Sequence, residues 1–380
     1  MAVPVIETWT QREVINSHKL NTQLRDPLAY FADMPRLSCR GAVPGQSVSR
    51  GQLTHVRWAT ASLNGFRQQD TNGTWFTVPD TGVYVIHGSI TVRAGSTQPA
   101  GDGVIINLYR RAPNGTLANL AMAREIAQQS NDYEIVSTVT VVHLLAGDSI
   151  GAAVYLEAGA SGTTYAIQPG EWETVLGAWM VAPGASSITG GAAPFAPAGD
   201  WTDNERITPA LMESRITQPM RSLLNPSRVV LRTPLSYSAP SGQPTRIRWA
   251  ASGMEESGGW SLSKDGSALT TPASGVYLVA FSIATQRDGP EGPFGSYQMN
   301  LARNGELVSL HQRQNTRSGY PTSISATAVL FLKKGDTVST DFIGTGTGLA
   351  WRDFGRDIND ERWNHFAVVM LAPGASSMKG

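Results

Sequence analysis

Cysteine is almost absent from this chain, because Cys39 is the only one among 380 residues. A lone cysteine cannot form a disulfide within the chain, so packing and association of subunits must stabilise the fold. We expect Cys39 to be a small, partly buried residue and not a reactive thiol.

An excess of charge of one sign and long apolar runs are also missing. Thirty Lys and Arg balance thirty Asp and Glu, so no net field attracts the chain to nucleic acid or anionic lipid. No apolar run reaches the roughly 18 residues of a transmembrane helix, and the N-terminus lacks the pattern of a secretory signal. We expect a protein made in the cytoplasm that binds no nucleic acid and inserts into no membrane.

Patterns typical of catalytic or metal sites are absent too. The chain has no nucleophile elbow, phosphate loop or dinucleotide glycine pattern. No histidine has metal-ligand spacing to another histidine or to Cys39. Carboxylate pairs for sugar hydrolysis could be assembled from loop residues, but such carboxylates are common in loops. We expect no enzyme activity, no cofactor and no metal. The histidines are His18, His55, His87, His143, His311 and His365, and the loop carboxylates are Glu171, Glu173, Asp353, Asp357, Asp360 and Glu361.

The sequence does contain an internal repeat at about half its length. Trp9-Thr10 recurs 192 residues later as Trp201-Thr202, and further matches follow in the same order. Both halves close on nearly the same phrase, at 180–187 and at 370–377. A segment rich in Gly, Ala and Pro, 188–200, joins them as a linker. The order of the matches predicts a tandem duplication. The further matches are Arg57-Trp58-Ala59 with Arg248-Trp249-Ala250, Asn107-Leu108 with Asn300-Leu301, and Trp172 with Trp363.

Apolar residues alternate along each half, as period-two strands require. Val83 and Val85 alternate with Tyr84 and Ile86. Asn-Gly at 114–115 and 304–305 favours tight hairpins, and Gly-Asp at 147–148 and 335–336 favours turns. About eight short strands in each half predict an all-β fold, either a two-sheet sandwich or a jelly roll. Periodicity alone does not choose between them.

A longer pattern resembles C1q/TNF-like domains over residues 43–187 and 233–377. The pattern begins with Pro, two further residues and Gly-Val-Tyr, continues with a strand that contains Asn-Leu, and ends with Leu, Gly-Asp and Val or Ile. Both halves lack the full aromatic set of that family. The resemblance implies a jelly roll and association as a homotrimer. Gly82 and Gly275 would allow a tight turn into a strand, and Tyr84 and Tyr277 would bury a large ring with a polar tip. The matching residues are Val78, Pro79, Gly82, Tyr84, Asn107, Leu145, Gly147, Asp148 and Ile150, and then Pro272, Gly275, Tyr277, Asn300, Leu332, Gly335, Asp336 and Val338.

A segment with helical rhythm precedes each predicted sandwich. Apolar stripes are spaced by three or four residues, and Asn16 and Thr208 are candidate N-caps. Pro27 and Pro219 are expected to end or bend each helix after about two turns. Helices this short must bury their stripe on a partner subunit or on their own sandwich. The stripes are Leu20, Leu24, Leu28 and Phe31 in the first arm, and Met212, Ile216, Met220 and Leu223 in the second.

The first arm, residues 8–28, resembles a leader found in virion proteins of tailed actinobacterial phages, notably minor tail proteins. That leader has Trp, then Glu-Val or Glu-Ile, then Leu-Asn-Thr, one residue and Leu-Arg-Asp. The resemblance implies arms that dock on other virion proteins. The alternative is an ordinary docking helix of an unrelated oligomer. The predicted docking residues are Trp9, Leu20, Leu24, Leu28, Trp201 and Ile216.

The halves differ most in a long late loop of the second half, 344–362. Trp351 and Phe354 in this loop, with Trp363 just after it, form a candidate contact loop for a sugar or a protein. The alternative is packing against a neighbouring subunit or domain.

These observations predict two tandem jelly-roll domains at 43–187 and 233–380. An arm at 1–42 precedes the first, and a linker with the second arm, 188–232, precedes the second. The leading hypothesis is a phage virion structural protein, a minor tail or tail-tip component. The alternatives are a capsid decoration protein, and a module that binds carbohydrate or a host surface protein.

Overall fold

The structure is a computed structural model in which no helix of the described part has the length and apolar character needed to span a membrane. The described residues are 21–94, 103–126, 133–157, 164–170, 174–189, 208–232, 234–235, 238–240, 242–287, 295–315, 321–344, 351–353 and 363–373.

The first half forms a sandwich of two antiparallel sheets. One sheet has the order β10-β7-β13-β1-β4, with β12 and β2 continuing the line of β13 and β1. The other has the order β5-β6-β11-β8-β9, with β3 also on β11. The strands are β1 Arg36–Ala42, β2 Ser47–Ser49, β3 Leu53–His55, β4 Trp58–Asn64, β5 Arg67–Gln68, β6 Phe76–Thr77, β7 Gly82–Ala94, β8 Gly103–Arg111, β9 Leu117–Ile126, β10 Tyr133–Leu144, β11 Ser149–Leu156, β12 Thr164–Ile167 and β13 Val175–Pro183.

The second half repeats this arrangement strand for strand. Its sheets have the orders β23-β20-β26-β14-β17, with β25 and β15 alongside, and β18-β19-β24-β21-β22, with β16 on β24. The strands are β14 Arg228–Leu231, β15 Ser238–Ala239, β16 Thr245–Arg246, β17 Met254–Ser257, β18 Ser261–Leu262, β19 Leu269–Thr270, β20 Gly275–Arg287, β21 Gly295–Arg303, β22 Glu306–Asn315, β23 Pro321–Leu332, β24 Thr337–Gly344, β25 Trp351–Asp353 and β26 His365–Pro373.

The pairing within each half is nested. In the first half β8 pairs with β9, β7 with β10, β6 with β11, and β1 with β13. Such nesting is that of a long hairpin rolled onto itself, which is a jelly roll. The predicted fold class of two tandem jelly-roll sandwiches is therefore confirmed.

The sandwiches begin earlier than the sequence predicted. β1 lies within the predicted arm 1–42, yet it pairs with both β13 and β4. β14 likewise lies within 188–232 and pairs with β26 and β17. Each is a short strand directly after a helical arm, so its few residues gave too little alternation to be recognised.

The arms are helical in both copies, but proline does not end them. A π-helical turn, Asn21–Arg25, leads into α1, Asp26–Ala32, with Pro27 near its start. The second arm has α2 Pro209–Met212, a π-helical turn Glu213–Thr217, and α3 Gln218–Leu224, which carries Pro219 near its start. The wide π turn makes room for the proline ring, which would otherwise meet the carbonyl four residues earlier. Thr208 caps the second arm as predicted, its side chain accepting from Leu211 N at 3.2 Å. Asn16 lies outside the described residues.

The two cores contain the same buried tyrosine. Tyr84 and Tyr277 are both fully buried, and their hydroxyls donate to Asp80 O and Ala273 O, each at 2.7 Å. Their predicted role is confirmed. Cys39 is buried more deeply than expected, and burial raises the pKa of its thiol.

Gly82 serves a different purpose from the predicted tight turn. Its φ is not positive, but a Cβ there would lie 2.5 Å from Ala182 O in the bulged strand β13. The residue is therefore needed for close strand approach. The Gly-Asp turns are confirmed, since Gly147 and Gly335 have φ near +90° and +87°, and Asp148 accepts from Leu145 N at 2.8 Å.

Tyr277→Phe is expected to lower the free energy of unfolding by about 1–3 kcal/mol, because the buried Ala273 carbonyl would lose its donor. Urea unfolding monitored by fluorescence measures the change. Tyr133→Phe is the control, since Tyr133 is 54% exposed and its loss of a hydroxyl should change little. Equal stability of Tyr277→Phe and the unchanged protein would contradict the assigned role.

Candidate functional site

The two sandwiches pack directly on each other through an apolar cluster, here called the junction. All of its side chains are at most 7% exposed. They come from β7, β10, β13 and the segment after β13 in the first sandwich, and from β14, β20 and β26 in the second. The junction residues are Val83, Val85, Val139, Val141, Val181, Ala182, Ala185 and Ile188 on one side, and Val230, Leu278, Ala280, Ala367 and Val369 on the other.

The junction joins the outward sheet face of the first sandwich, at β7, β13 and the edge strand β10, to the outward face of the second, at β14, β20 and β26. β9 and β10 are edge strands of the two sheets of the first sandwich, and both contact β20 and β23. The second sandwich presents a row of small apolar residues across adjacent strands, Val230, Ala367 and Ala280. Small side chains let the valines of the edge approach closely, as dense packing requires.

Hydrogen bonds and a buried arginine surround this apolar contact. Arg124 N donates to Ser323 Oγ at 2.6 Å, and Ser323 Oγ donates back to Arg124 O at 3.1 Å. Arg232 donates to Val141 O at 3.1 Å. The fully buried Arg228 donates to Ser187 O at 2.8 Å, and burial lowers the pKa of its guanidinium to about 10. These bonds fix the register of the two sandwiches.

One titratable group lies inside the contact. His365 on β26 is 1% exposed, and its Nε2 has no hydrogen-bond partner in the described part of the chain. Burial and the nearby charge of Arg232 lower its pKa to about 3, against a smaller raising effect from a hydrogen bond to the Val139 backbone. The ring is therefore neutral at ordinary pH.

A polar cavity of about 570 Å³ lies where the first arm meets its sandwich. Tyr30 from α1 donates to Asp80 Oδ2 at 3.0 Å, and Asn64 donates to Asp33 Oδ1 at 2.9 Å. Burial, then the charge of Asp80, raises the pKa of Tyr30. Asp80 and Asp33 accept these two hydrogen bonds, which hold the first arm against its sandwich. Among the described residues, no three His, Cys, Asp or Glu side chains come together as a metal site would require.

Sequence reasoning missed an aromatic group on the outer face of the second sheet. His55 lies 5.1 Å from the Trp75 ring and 5.8 Å from the Tyr109 ring, and Arg111 stacks over Trp75 at 4.6 Å. Burial and Arg111 lower the pKa of His55. Because Trp75 is only 6% exposed, its ring offers no open platform for a sugar.

The structure describes three of the predicted docking residues of the arms, Leu24, Leu28 and Ile216. Leu24 and Ile216 are half-buried, whereas Leu28 is 55% exposed. The helix α3 contacts β13, β26 and α1, and its Leu224 belongs to the core of the first sandwich. The described parts of the arms therefore pack on the chain's own sandwiches. Trp9, Leu20 and Trp201 lie outside the described residues.

The structure describes two of the three residues of the predicted contact loop, Trp351 and Trp363. Trp363 is 5% exposed and packs with Ile105 of the first sandwich and Ala284 of the second. At this residue the alternative of packing against a neighbouring domain is correct, because the ring lies between the sandwiches. Trp351 begins β25, with only its backbone described, and Phe354 lies outside the described residues.

A signal for the junction was present in the sequence. Outward positions of β7 hold Val83 and Val85, while inward positions hold Tyr84 and Ile86, so both faces are apolar. A strand that is apolar on both faces indicates a sheet covered on both sides. The change to His87 and Ser89 along the same strand marks where that outer face becomes polar.

No family model matches the chain, and no curated protein matches it. Murine APRIL at pH 8.5 is similar at 18% identity and a TM-score of 0.29, over 38% of this chain and 98% of that chain. The Eiger TNF from S. frugiperda is similar at 16% identity and a TM-score of 0.31, over 40% of this chain and 94% of that chain. Murine APRIL at pH 5.0 is similar at 19% identity and a TM-score of 0.29, over 39% and 98%. The assignment of a jelly roll rests on the strand order of this chain.

Acid is expected to weaken the protein through His365. Its folded pKa of about 3 lies below the ordinary value of about 6.5, so the stabilisation is complete above pH 6.5 and falls as the pH drops toward 3. The slope should approach about 1 kcal/mol per pH unit. Urea unfolding between pH 7 and pH 4 measures it, with buffers of roughly matched ionic strength. In His365→Leu the slope should be smaller, and an unchanged slope would contradict the assignment.

Val141→Glu is expected to destabilise the protein by about 3 kcal/mol or more, because its carboxylate would be buried among the apolar side chains of the junction. Thermal unfolding measures the loss. The matched control is Val329→Glu, since Val329 has the same strand position in the second sandwich but is 48% exposed. Equal losses of stability in the two variants would contradict the assigned burial.

Proposed function

We propose that this chain is a structural protein of a tailed-phage virion, a minor tail or tail-tip component. It acts by association and by the surfaces it presents, and it catalyses no reaction. The likeness of residues 8–28 to the leader of actinobacterial phage virion proteins supports the location.

The observation that carries the structural role is the junction. A duplicated sandwich that buries thirteen apolar residues against its own copy is a module suited to association. The two sandwiches contribute mostly different positions to this contact, but the surfaces overlap, because Val85 and the equivalent Leu278 both lie in it. Association therefore needs no additional domain.

The use of polar residues supports a role without catalysis. Asp148 is fully buried, pairs with Arg110 at 2.8 Å and accepts from Leu145 N. Asp336 accepts from Lys333 N at 2.9 Å, which is the same turn in the second sandwich. These carboxylates fix hairpin turns, and the buried tyrosines fix strand entries.

Labelling of intact particles with a gold-tagged antibody against this chain tests the location. Label at the tail is expected. Label on the head would favour the capsid decoration alternative and contradict the tail role. Absence of the chain from purified particles would contradict a virion role altogether. As a control, the antibody must bind the same particles after mild denaturation.

A further inference from the structure

The polar cavity between the first arm and its sandwich has the properties of a binding site for a small molecule. Its volume of about 570 Å³ lies within the range of small-molecule pockets. Tyr30 lines it with a buried side chain, whereas Asp33 and Arg67 are exposed to solvent. A ligand can therefore enter from solvent and meet side chains that the fold holds in place.

The second sandwich has the same elements at this place but different side chains. The pairing of β1 with β4 repeats in β14 with β17, and the pairing of β5 with β6 repeats in β18 with β19. Phe66 and Trp260 each pack edge-on against the buried tyrosine of their own copy. The copies can therefore be compared residue by residue, and no charged side chain of the cavity is kept. Tyr30, Asp33, Asn64, Arg67 and Asp80 correspond to Ser222, Asn225, Ser257, Ser261 and Ala273.

These charges are not required to hold an arm on a sandwich. The second arm also packs on its sandwich, through α3 and β26, although the equivalent positions carry no charge. The second copy has the larger Trp260 at the position of Phe66, and its Nε1 donates to Ser227 Oγ at 2.8 Å. An indole and a hydroxyl thus perform the packing there. The charges of the first copy therefore serve a purpose beyond packing.

The cavity offers hydrogen-bond acceptors and donors together. Asp80 Oδ2 accepts from Tyr30 and Asp33 Oδ1 accepts from Asn64. The second oxygen of each carboxylate stays available for another donor, because a carboxylate accepts on both oxygens. Arg67 forms no ion pair with the described residues, so its guanidinium can donate to a ligand.

This mixture of charges selects the class of ligand. Two carboxylates would repel an anion, and Arg67 would repel a metal ion, for which the described residues also provide no set of three acidic or imidazole ligands. A neutral molecule with several hydroxyls fits, because each hydroxyl can donate to a carboxylate and accept from a guanidinium. Pro35 and Pro79 lie beside Gly65 and add an apolar surface for the C–H groups of a sugar ring.

We propose that this cavity binds a neutral sugar residue, with Asp33 and Asp80 accepting from its hydroxyls and Arg67 donating to them. The site goes beyond the proposed function, because it adds a ligand to a protein whose other surfaces serve association. It lies in the first sandwich, away from the predicted contact loop of the second.

Saturation-transfer NMR on the purified full-length chain tests the site. The probes are the methyl glycosides of glucose, galactose, mannose and N-acetylglucosamine, which are all neutral. At least one is expected to bind with a Kd of about 1 mM or tighter. Methyl glucuronide and methyl glucosaminide present a similar ring with a negative or a positive charge, and both should bind more weakly than the best neutral probe.

Two variants test the assigned side chains. Asp80→Asn keeps an acceptor for Tyr30 but removes one for the sugar, and Arg67→Gln removes the guanidinium at an exposed position. Each should weaken binding by about tenfold, because hydrogen bonds to charged groups are lost. The matched control is Arg57→Gln, since Arg57 is also exposed but lies at the opposite end of β4 from the cavity. Circular dichroism and equal thermal midpoints confirm that the variants are folded.

Beads that carry the bound sugar through its anomeric carbon distinguish two sources of the ligand. Retention of the chain on them would assign the site to the end of a glycan, and binding of the free glycoside alone would assign it to a free sugar. Either result upholds the proposal.

Three outcomes would overturn the proposal. They are silence of all four neutral probes, tighter binding of a charged probe than of every neutral one, and an unchanged affinity in both Asp80→Asn and Arg67→Gln. These affinities are measured on the isolated protein, so they do not depend on whether particles contain the chain. The antibody experiment can therefore fail while this one succeeds, and the reverse.

Discussion

Removal of valine and alanine side chains from water at the junction is the interaction on which the arrangement of this molecule depends. Each sandwich has its own core, but the outer sheet face of the second would be an apolar surface in water without the edge of the first. At about 25 cal/mol per Å² of apolar surface, such burial is a main source of stability in contacts between domains. The second arm and the buried Arg228 are positioned by this contact, since both lie where the chain passes between sandwiches.

Much of the fold could be predicted from the sequence because its signals are local. Period-two alternation, Asn-Gly and Gly-Asp turns and the repeated Tyr84 and Tyr277 depend on residues close together in the chain. The turn at Asn304 and Gly305 has the predicted positive φ at both positions. The junction was not predicted, because it joins residues far apart in sequence and its apolar positions resemble those of an ordinary core. Of the two outcomes expected at Pro27, an end and a bend, the end is wrong, because a π turn lets the helix continue through the proline.

The two copies have diverged at the positions that decide their places in the molecule. Buried core positions keep the same character, as at the tyrosines, whereas the outward row of three differs completely between Ser38, Gly177, His87 and Val230, Ala367, Ala280. After duplication, the second sandwich has the more apolar outer face, and the first sandwich has the edge strand that this face covers. Divergence of this kind fixes the order of the sandwiches, because exchanging them would place a histidine and a serine under the valines.

Joining two modules in one polypeptide changes the concentration dependence of their contact. Ile188, where the linker leaves the first sandwich, is itself buried in the contact. The tether therefore holds the partners at a high effective concentration, and they meet in a first-order step that dilution does not weaken. Growth beyond one polypeptide remains a bimolecular step that dilution does weaken. A chain built in this way starts every larger assembly from a pair that already exists, so the slow first encounter of two free modules is never required.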